Sequence, residues 1–446
     1  MATEATRQLA RGDDGYEAAR TATMWNARTP QRYPDLVVIA QDEQDVLEAV
    51  RGARARGMRI GVRSGGHSWA GNHVRDGGML LDVSALSGAS IDASSMTALV
   101  GPGCRADELL ALLARQDLFF PAGHCKGVGV GGYLLQGGFG WNGRVHGPAC
   151  ASVRALEVVT AAGELVRADA DSHSDLLWAA RGAGPGFFGV VTRFELDLYP
   201  RPSVSANCVY TYPLDVLEEL FGWAHRIGPS LPRTMELMLV IHRDEQGEVE
   251  IGVIAPVLVE SEQQAREQLA LLESCPVLDR AKLAIPHVPV SMDDLYAGIM
   301  AGYPDRHRWT ADNMWTDAEA QQLLPGVRRI AETLPAHPSH MLWMNWGERA
   351  PGPDMAFDLD ARTYIALYAA SQDPADDQPN EAWATERMRE MEPLATGIQL
   401  ADENLARRPA PFVSDAHLRR LDNIRAAYDP DGLFHPWMGR PSLPPR

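Results

Sequence analysis

Between Pro121 and Gly147 the chain reads PAGHCKGVGVGGYLLQGGFGWNGRVHG, and ten of the 25 residues from Gly123 to Gly147 are glycine. Backbone so poor in side chains turns tightly and brings its amides close to whatever it surrounds. Such a segment suits a diphosphate and a flat ring, held by N–H groups rather than by cationic side chains. Val128, Val130, Tyr133, Leu134, Leu135, Phe139 and Trp141 are interleaved with the glycines and anchor the segment, which argues against a flexible linker. The text GxGxxG occurs at 127–132 and again at 184–189. A Rossmann site needs a strand just before it and a helix just after. The first copy follows PAGHCK, which is no strand, and glycines run on at 137, 138 and 140, so a Rossmann reading is rejected for both.

Glycine is unevenly spread. Residues 1–200 hold 28 of the 40, and residues 201–400 hold 10. The boundary is placed near Pro200–Pro202, dividing the chain into 1–202, 203–401 and a return of 402–446 onto the first part. The first part reads as alternating strands and helices. Asp35–Ala40 is a buried strand, Asp42 caps a helix ending at Gly57, and Ile60–Arg63 is the next strand. Further strands are predicted at Met79–Val83, Ala98–Val100, Ala155–Thr160 and Val190–Leu198, with a helix at Ala106–Gln116. In the second part, Asn207–Tyr212, Met235–His242, Val249–Val257, Met341–Trp346 and Tyr364–Ala370 read as strands. Helical stretches at Leu214–Ile227 and Glu260–Glu273 lie between them. The pattern predicts an α+β, two-lobed protein: a lobe of two α/β subdomains, and a second with a large, mostly antiparallel sheet flanked by helices.

With 41 basic and 59 acidic residues, the net charge of −18 argues against nucleic acid and anionic membrane surfaces as partners. No apolar run approaches the roughly 20 residues of a membrane span. The N-terminus lacks the apolar core of a secretory signal, which makes a cytoplasmic location the expectation. Five cysteines without CxxC spacing predict neither a disulfide framework nor a zinc ribbon. His337 and His340 are three apart, but no carboxylate or cysteine joins them at ligand spacing, so no metal is expected.

A second constellation, Arg63–Gly71 (RSGGHSWAG), sits at the end of the strand Ile60–Arg63. Gly65 and Gly66 make a tight turn with free amides, Ser64 and Ser68 are hydrogen-bond donors for phosphate oxygens, and His67 sits at the apex. Together with GHCKGVGVGG (123–132), GAGPGFFGVV (182–191) and YDPDGLF (428–434), it resembles the FAD-dependent oxidoreductases of the vanillyl-alcohol oxidase superfamily, with their PCMH-type FAD-binding domain. The similarity is greatest to the berberine bridge enzyme-like branch. It covers about Arg32–Pro200 and the last 30 residues.

The resemblance implies a bicovalent flavin, with His67 joined to the 8α-methyl and Cys125 to C6. Amide dipoles in a glycine loop favour the thiolate that Cys125 would need. Arg63, Ser64, Gly65, Gly66, Ser68, Gly129, Gly131, Gly132, Gly137, Gly138 and Val191 would line the cofactor. The small Val128 implies space for oxygen and hence an oxidase. The family's catalytic tyrosines are missing from the corresponding stretch, Gly397–Asp402, where Gln399 replaces an asparagine. Candidates for the proton-accepting group are therefore Tyr364 and Tyr368, which face one side of a strand, with Asp402, Glu403 and Tyr133, and Gln399 is a further catalytic-site candidate. Alternation in Met341–Trp346 puts Trp343 and Trp346 on opposite faces, so at most one lines a pocket, while Asn313 and Asn345 are candidates for orienting a hydroxyl. The expected activity is oxidation of an alcohol or sugar carbon of a small molecule or secondary metabolite. O2 would be the acceptor, and the protein a monomer or homodimer. Amine or C–C-forming oxidation, and a dehydrogenase using another acceptor, are the alternatives.

Overall fold

The computed structural model describes residues 7–347 and 351–440. Its first lobe opens with a four-stranded sheet, three strands of which the sequence predicts. Leu36–Ile39 and Ile60–Arg63 both run parallel to Met79–Asp82 between them, and Arg7–Ala10 adds an antiparallel edge. The helix Glu43–Arg56 crosses from one strand to the next. The Asp42 carboxylate accepts the Asp45 amide at 3.0 Å, and Gly57, at φ 63°, ends the helix in the left-handed conformation. Val46, Ala49, Val50 and Ala53 form its buried stripe.

A second, antiparallel sheet has the order 89–92, 97–100, 189–197, 153–160, 165–168. The C-terminal segment packs against the first lobe. Ile60 donates to the Leu433 carbonyl and accepts from His435, and Leu421, Ile424, Phe434 and Trp437 join the first lobe's core. That core also takes in Leu258, Leu295, Tyr296 and Ala356, so the lobes are packed together and not merely tethered.

The second lobe is built on an eight-stranded sheet, antiparallel at every pairing. Its centre is formed by Met238–Arg243, His340–Asn345 and Thr363–Ser371, with Arg308–Thr316 beyond them. The last of these strands is absent from the sequence-based reading. Likewise Val249–Val257 is two strands, 249–254 and 257–259. Side-chain alternation divides this sheet cleanly. Met341, Trp343, Ile365 and Leu367 pack beneath the helices 217–227, 320–332 and 377–391. Leu342, Met344, Tyr364, Ala366 and Tyr368 face the first lobe. No helix among the described residues is long and apolar enough to cross a membrane.

Candidate active site

The cleft between the sheet and the first lobe holds about 510 Å³. Its first-lobe wall is built from the two glycine-rich runs, which touch backbone to backbone. A Cβ on Gly129 would lie 2.6 Å from the Cα of Gly65, closer than any side chain tolerates. The Arg63 guanidinium pairs with Asp82 at 3.0 and 3.2 Å and fixes the start of the turn. Ser64 Oγ accepts the Gly132 amide at 3.1 Å, and Ser68 Oγ accepts the Asn72 amide at 3.1 Å. Both serines line the cleft with a hydroxyl proton to donate.

The amides divide differently from what glycine content suggests. In the 127–132 run, Gly127 donates to Asp107, Val130 to the Cys104 carbonyl and Gly131 to the Pro102 carbonyl. These amides are engaged inside the protein. Among the described residues, by contrast, no protein acceptor takes the amides of Gly65, Gly66, His67, Ser68 or Trp69. The turn is thus the element whose amides are free for an anion, and the longer run packs behind it.

His67 stacks on Trp25, with ring centroids 5.2 Å apart and planes 15° apart. Burial, and then the charges of Arg105 and Arg63, lower its pKa to about 4, so the imidazole is neutral and nucleophilic near neutral pH. Cys125 lines the same cleft, and it alone among the five free cysteines is not buried outright. The thiolate expected from the glycine loop is not favoured: burial and then the Asp402 charge push the thiol up to about 12. Val128, Gly131, Gly132, Gly138 and Val191 line the cleft too; Gly137, a turn residue at φ 109°, does not.

On the sheet side, Tyr364 and Tyr368 both point into the cleft, and both hydroxyls donate to Oδ2 of Asp402 (2.9 Å from Tyr368). Oδ1 accepts from Trp69 Nε1 at 2.6 Å. Burial raises the pKa of Asp402 above the ordinary carboxylate value, against the opposing pull of these three donors. Burial and the Asp402 charge hold both tyrosines well above 10. Gln399 lines the cleft beside them.

Other candidates are engaged elsewhere. Glu403 accepts from Asn72 and the Leu405 amide, and Tyr133 donates to the Pro121 carbonyl at 2.6 Å. Asn313 and Asn345 do not orient a ligand. Asn313 grips the backbone of Gln399 and Asp402, and Asn345 donates to the Gly228 carbonyl. Trp346 lines the cleft while Trp343 packs under the helices, the split that alternation predicts. Trp69, Trp25 and Tyr303 escaped sequence reasoning. The signal for Trp69 was its place two residues after His67, on the same turn.

Two buried polar atoms of cleft residues, Asn72 Oδ1 and His435 Nε2, have no protein partner. With the free amides of the turn they form a donor and acceptor set suited to a diphosphate and a polar heterocycle. The fold and this cleft define a flavin-dinucleotide-binding protein. Residues 34–169 match the family described as "FAD binding domain". The chain is 31% identical over 429 residues to the FAD-linked oxidoreductase nodO of Hypoxylon pulicicidum, covering 93% of each. It is 36% identical over 232 residues to the (R)-6-hydroxynicotine oxidase of Paenarthrobacter nicotinovorans, covering 49% of each. The berberine bridge enzyme of Eschscholzia californica has the same fold, at a TM-score of 0.83 and 18% identity, over 98% of this chain and 96% of that one. The protein belongs to the FAD-linked oxidoreductases, and its fold is that of the berberine bridge enzyme.

Proposed function

We propose that this protein is an oxidase that removes a hydride from a hydroxyl-bearing carbon of a small molecule and returns the electrons to O2, releasing H2O2. The observation that carries the reading is the Tyr364–Tyr368–Asp402 cluster, which shares one cleft with His67 and Cys125. FAD, when bound, supplies the hydride acceptor and the reaction with oxygen. The free amides of residues 65–69 hold its diphosphate, and His67 and Cys125 attach its ring. The name of the hydroxynicotine-oxidising relative and the small Val128 favour an oxidase over a dehydrogenase.

The chain's own part is to take the hydroxyl proton. Neither tyrosine serves as a preformed tyrosinate, since both are held well above 10. A substrate hydroxyl donating to Tyr364 or Tyr368 passes its proton to the phenol oxygen as the phenol passes its own to Asp402. The phenol stays neutral throughout while the Asp402 carboxylate ends protonated, and burial makes Asp402 a stronger base than an exposed aspartate. Because Asp402 is a carboxylate among aromatic rings, an amine-bearing carbon is the second reading.

Mixing the yellow protein anaerobically with a panel of alcohols, sugars and amines tests this. Bleaching of the flavin, followed by peroxide when air is admitted, is expected. A flavin that no member bleaches, or that stays reduced in air, refutes the oxidase. Acid precipitation tests the attachment. Wild type, His67→Ala and Cys125→Ala should give yellow pellets and the double variant a colourless one.

A further inference from the structure

The sheet side of the cleft carries a polarity gradient that restricts what can lie on it. Tyr364, Met344, Met238 and Ile254 are successive cross-strand partners on four neighbouring strands, and all four line the cleft. At about 4.8 Å per strand, three steps span about 14 Å. Two residues along, Leu342 and Val240 continue the same apolar surface. Among the described residues no arginine or lysine lines this wall. The two arginines of the cleft, Arg63 and Arg75, belong to the first lobe and are engaged with Asp82, and with the Asn72 and Pro436 carbonyls.

The polar groups at the reactive end mostly have their protons in use. Both phenols donate to Asp402, and the Tyr303 hydroxyl pairs with His340 Nε2 at 3.1 Å. His340 is itself held neutral: burial lowers its pKa to about 4, and its Nδ1 contacts the Pro338 carbonyl. This end is therefore richer in acceptors than in donors, and its carboxylate is negative when ionised. A polyol laid across methionine, leucine and valine would lose water without replacing its hydrogen bonds, and an anion would do so next to Asp402.

We infer that the substrate is a neutral or protonated molecule with an extended apolar body, of the size of several fused rings. A single O–H or N–H donor on it reaches the Tyr364–Tyr368–Asp402 cluster, and the body covers the ramp toward Ile254. This rests on the oxidoreductase reading above and narrows it, setting an apolar ring alcohol or amine above a sugar.

Three probes test the ramp in the purified holoprotein: anthracenemethanol, anthracenecarboxylate and cellobiose. Binding is followed by quenching of tryptophan emission and by the flavin difference spectrum, and needs no turnover. Anthracenemethanol should bind at least ~10-fold tighter than the carboxylate, which must shed its water against thioether and alkyl groups. Cellobiose should show weaker binding than either. Leu342→Lys, which places a cation mid-ramp, should bring the carboxylate level with the alcohol or ahead of it. Cellobiose binding more tightly than anthracenemethanol, or a carboxylate equal to the alcohol in the wild type, overturns the inference whether or not the variant folds. A colourless protein would instead contradict the oxidoreductase reading, while the tryptophan signal still ranks the three probes.

Discussion

Asp402→Asn separates the base from everything else the cleft does. The substitution keeps the shape, and Trp69 Nε1 decides its orientation. An indole N–H can only donate, so the amide oxygen must remain where Oδ1 now accepts it at 2.6 Å. The new NH2 then occupies the Oδ2 position, facing the two phenols that donate there today. Both tyrosines must turn their protons away, and no group remains to receive one. A positioned base contributes about 10²- to 10⁴-fold, equivalent to about 3–5 kcal/mol of barrier. The rate of anaerobic flavin bleaching by substrate should fall by that factor, with flavin content unchanged. The pH profile gives a second signature. Burial raises the Asp402 pKa, so the wild-type rate climbs with pH through a value above that of an exposed aspartate, and the variant should lose that limb. Stopped-flow reduction across the acid range measures both. A variant within about threefold of wild type, with the acid limb intact, would refute the assignment, since general-base removal does not leave so little trace.

Two further outcomes follow from the packing and from the buried histidines. Gly129→Ala drives a methyl into the Gly65 backbone and should cost more than the ~1–3 kcal/mol of ordinary overpacking. Gly132→Ala meets only Ser64 Oγ at 3.9 Å, inside the helix Val130–Leu135, and should keep or raise the melting temperature; equal melting temperatures for the two variants would contradict the contact. Burial, with Arg63 and Arg32, lowers His73 to about 3 in the fold against 6.5 unfolded, so the unfolded chain binds the extra proton. Stability from this group is complete above pH 6.5 and is lost as the pH falls toward 3. His73→Gln, which keeps a partner for Thr23 Oγ1, should flatten the acid side of urea-unfolding curves, and an unchanged slope would count against this.

What the sequence made legible was mostly local. The crossover unit from Leu36 to Arg63, the shared face of Tyr364 and Tyr368, and the split of Trp343 from Trp346 all follow from periods of 3.6 and 2. The partner of the tyrosines was not legible in the same way. Asp402 lies 34 residues beyond Tyr368, and its third donor, Trp69, lies 333 residues from it. Only the return of the C-terminal segment to the first lobe brings the three together. Asn313 shows the same limit: buried in a strand, it suggested a ligand contact, yet it holds the backbone of Gln399 and Asp402 in place.

Glycine content misled in an instructive direction. Density in the 123–147 run pointed to amides turned toward a ligand, but four of the six amides of 127–132 are engaged inside the protein, by Asp107, Cys104, Pro102 and Ser64. A missing Cβ permits close approach without specifying to what, and here Gly129 approaches Gly65. The amides left free belong to the shorter RSGGHSW run. The long run therefore acts as a buttress that holds the short turn rigid, with its donors aligned, before any ligand arrives. Cys125 sits in that buttress, where burial pushes its thiol up and the charge of Asp402 adds to the shift. The same carboxylate that would receive a substrate proton thus opposes ionisation of the cysteine proposed to hold the cofactor, so attachment of the sulfur and turnover draw on one charge. Asp402→Asn should accordingly ease alkylation of Cys125 in flavin-free protein while it slows bleaching in the holoprotein.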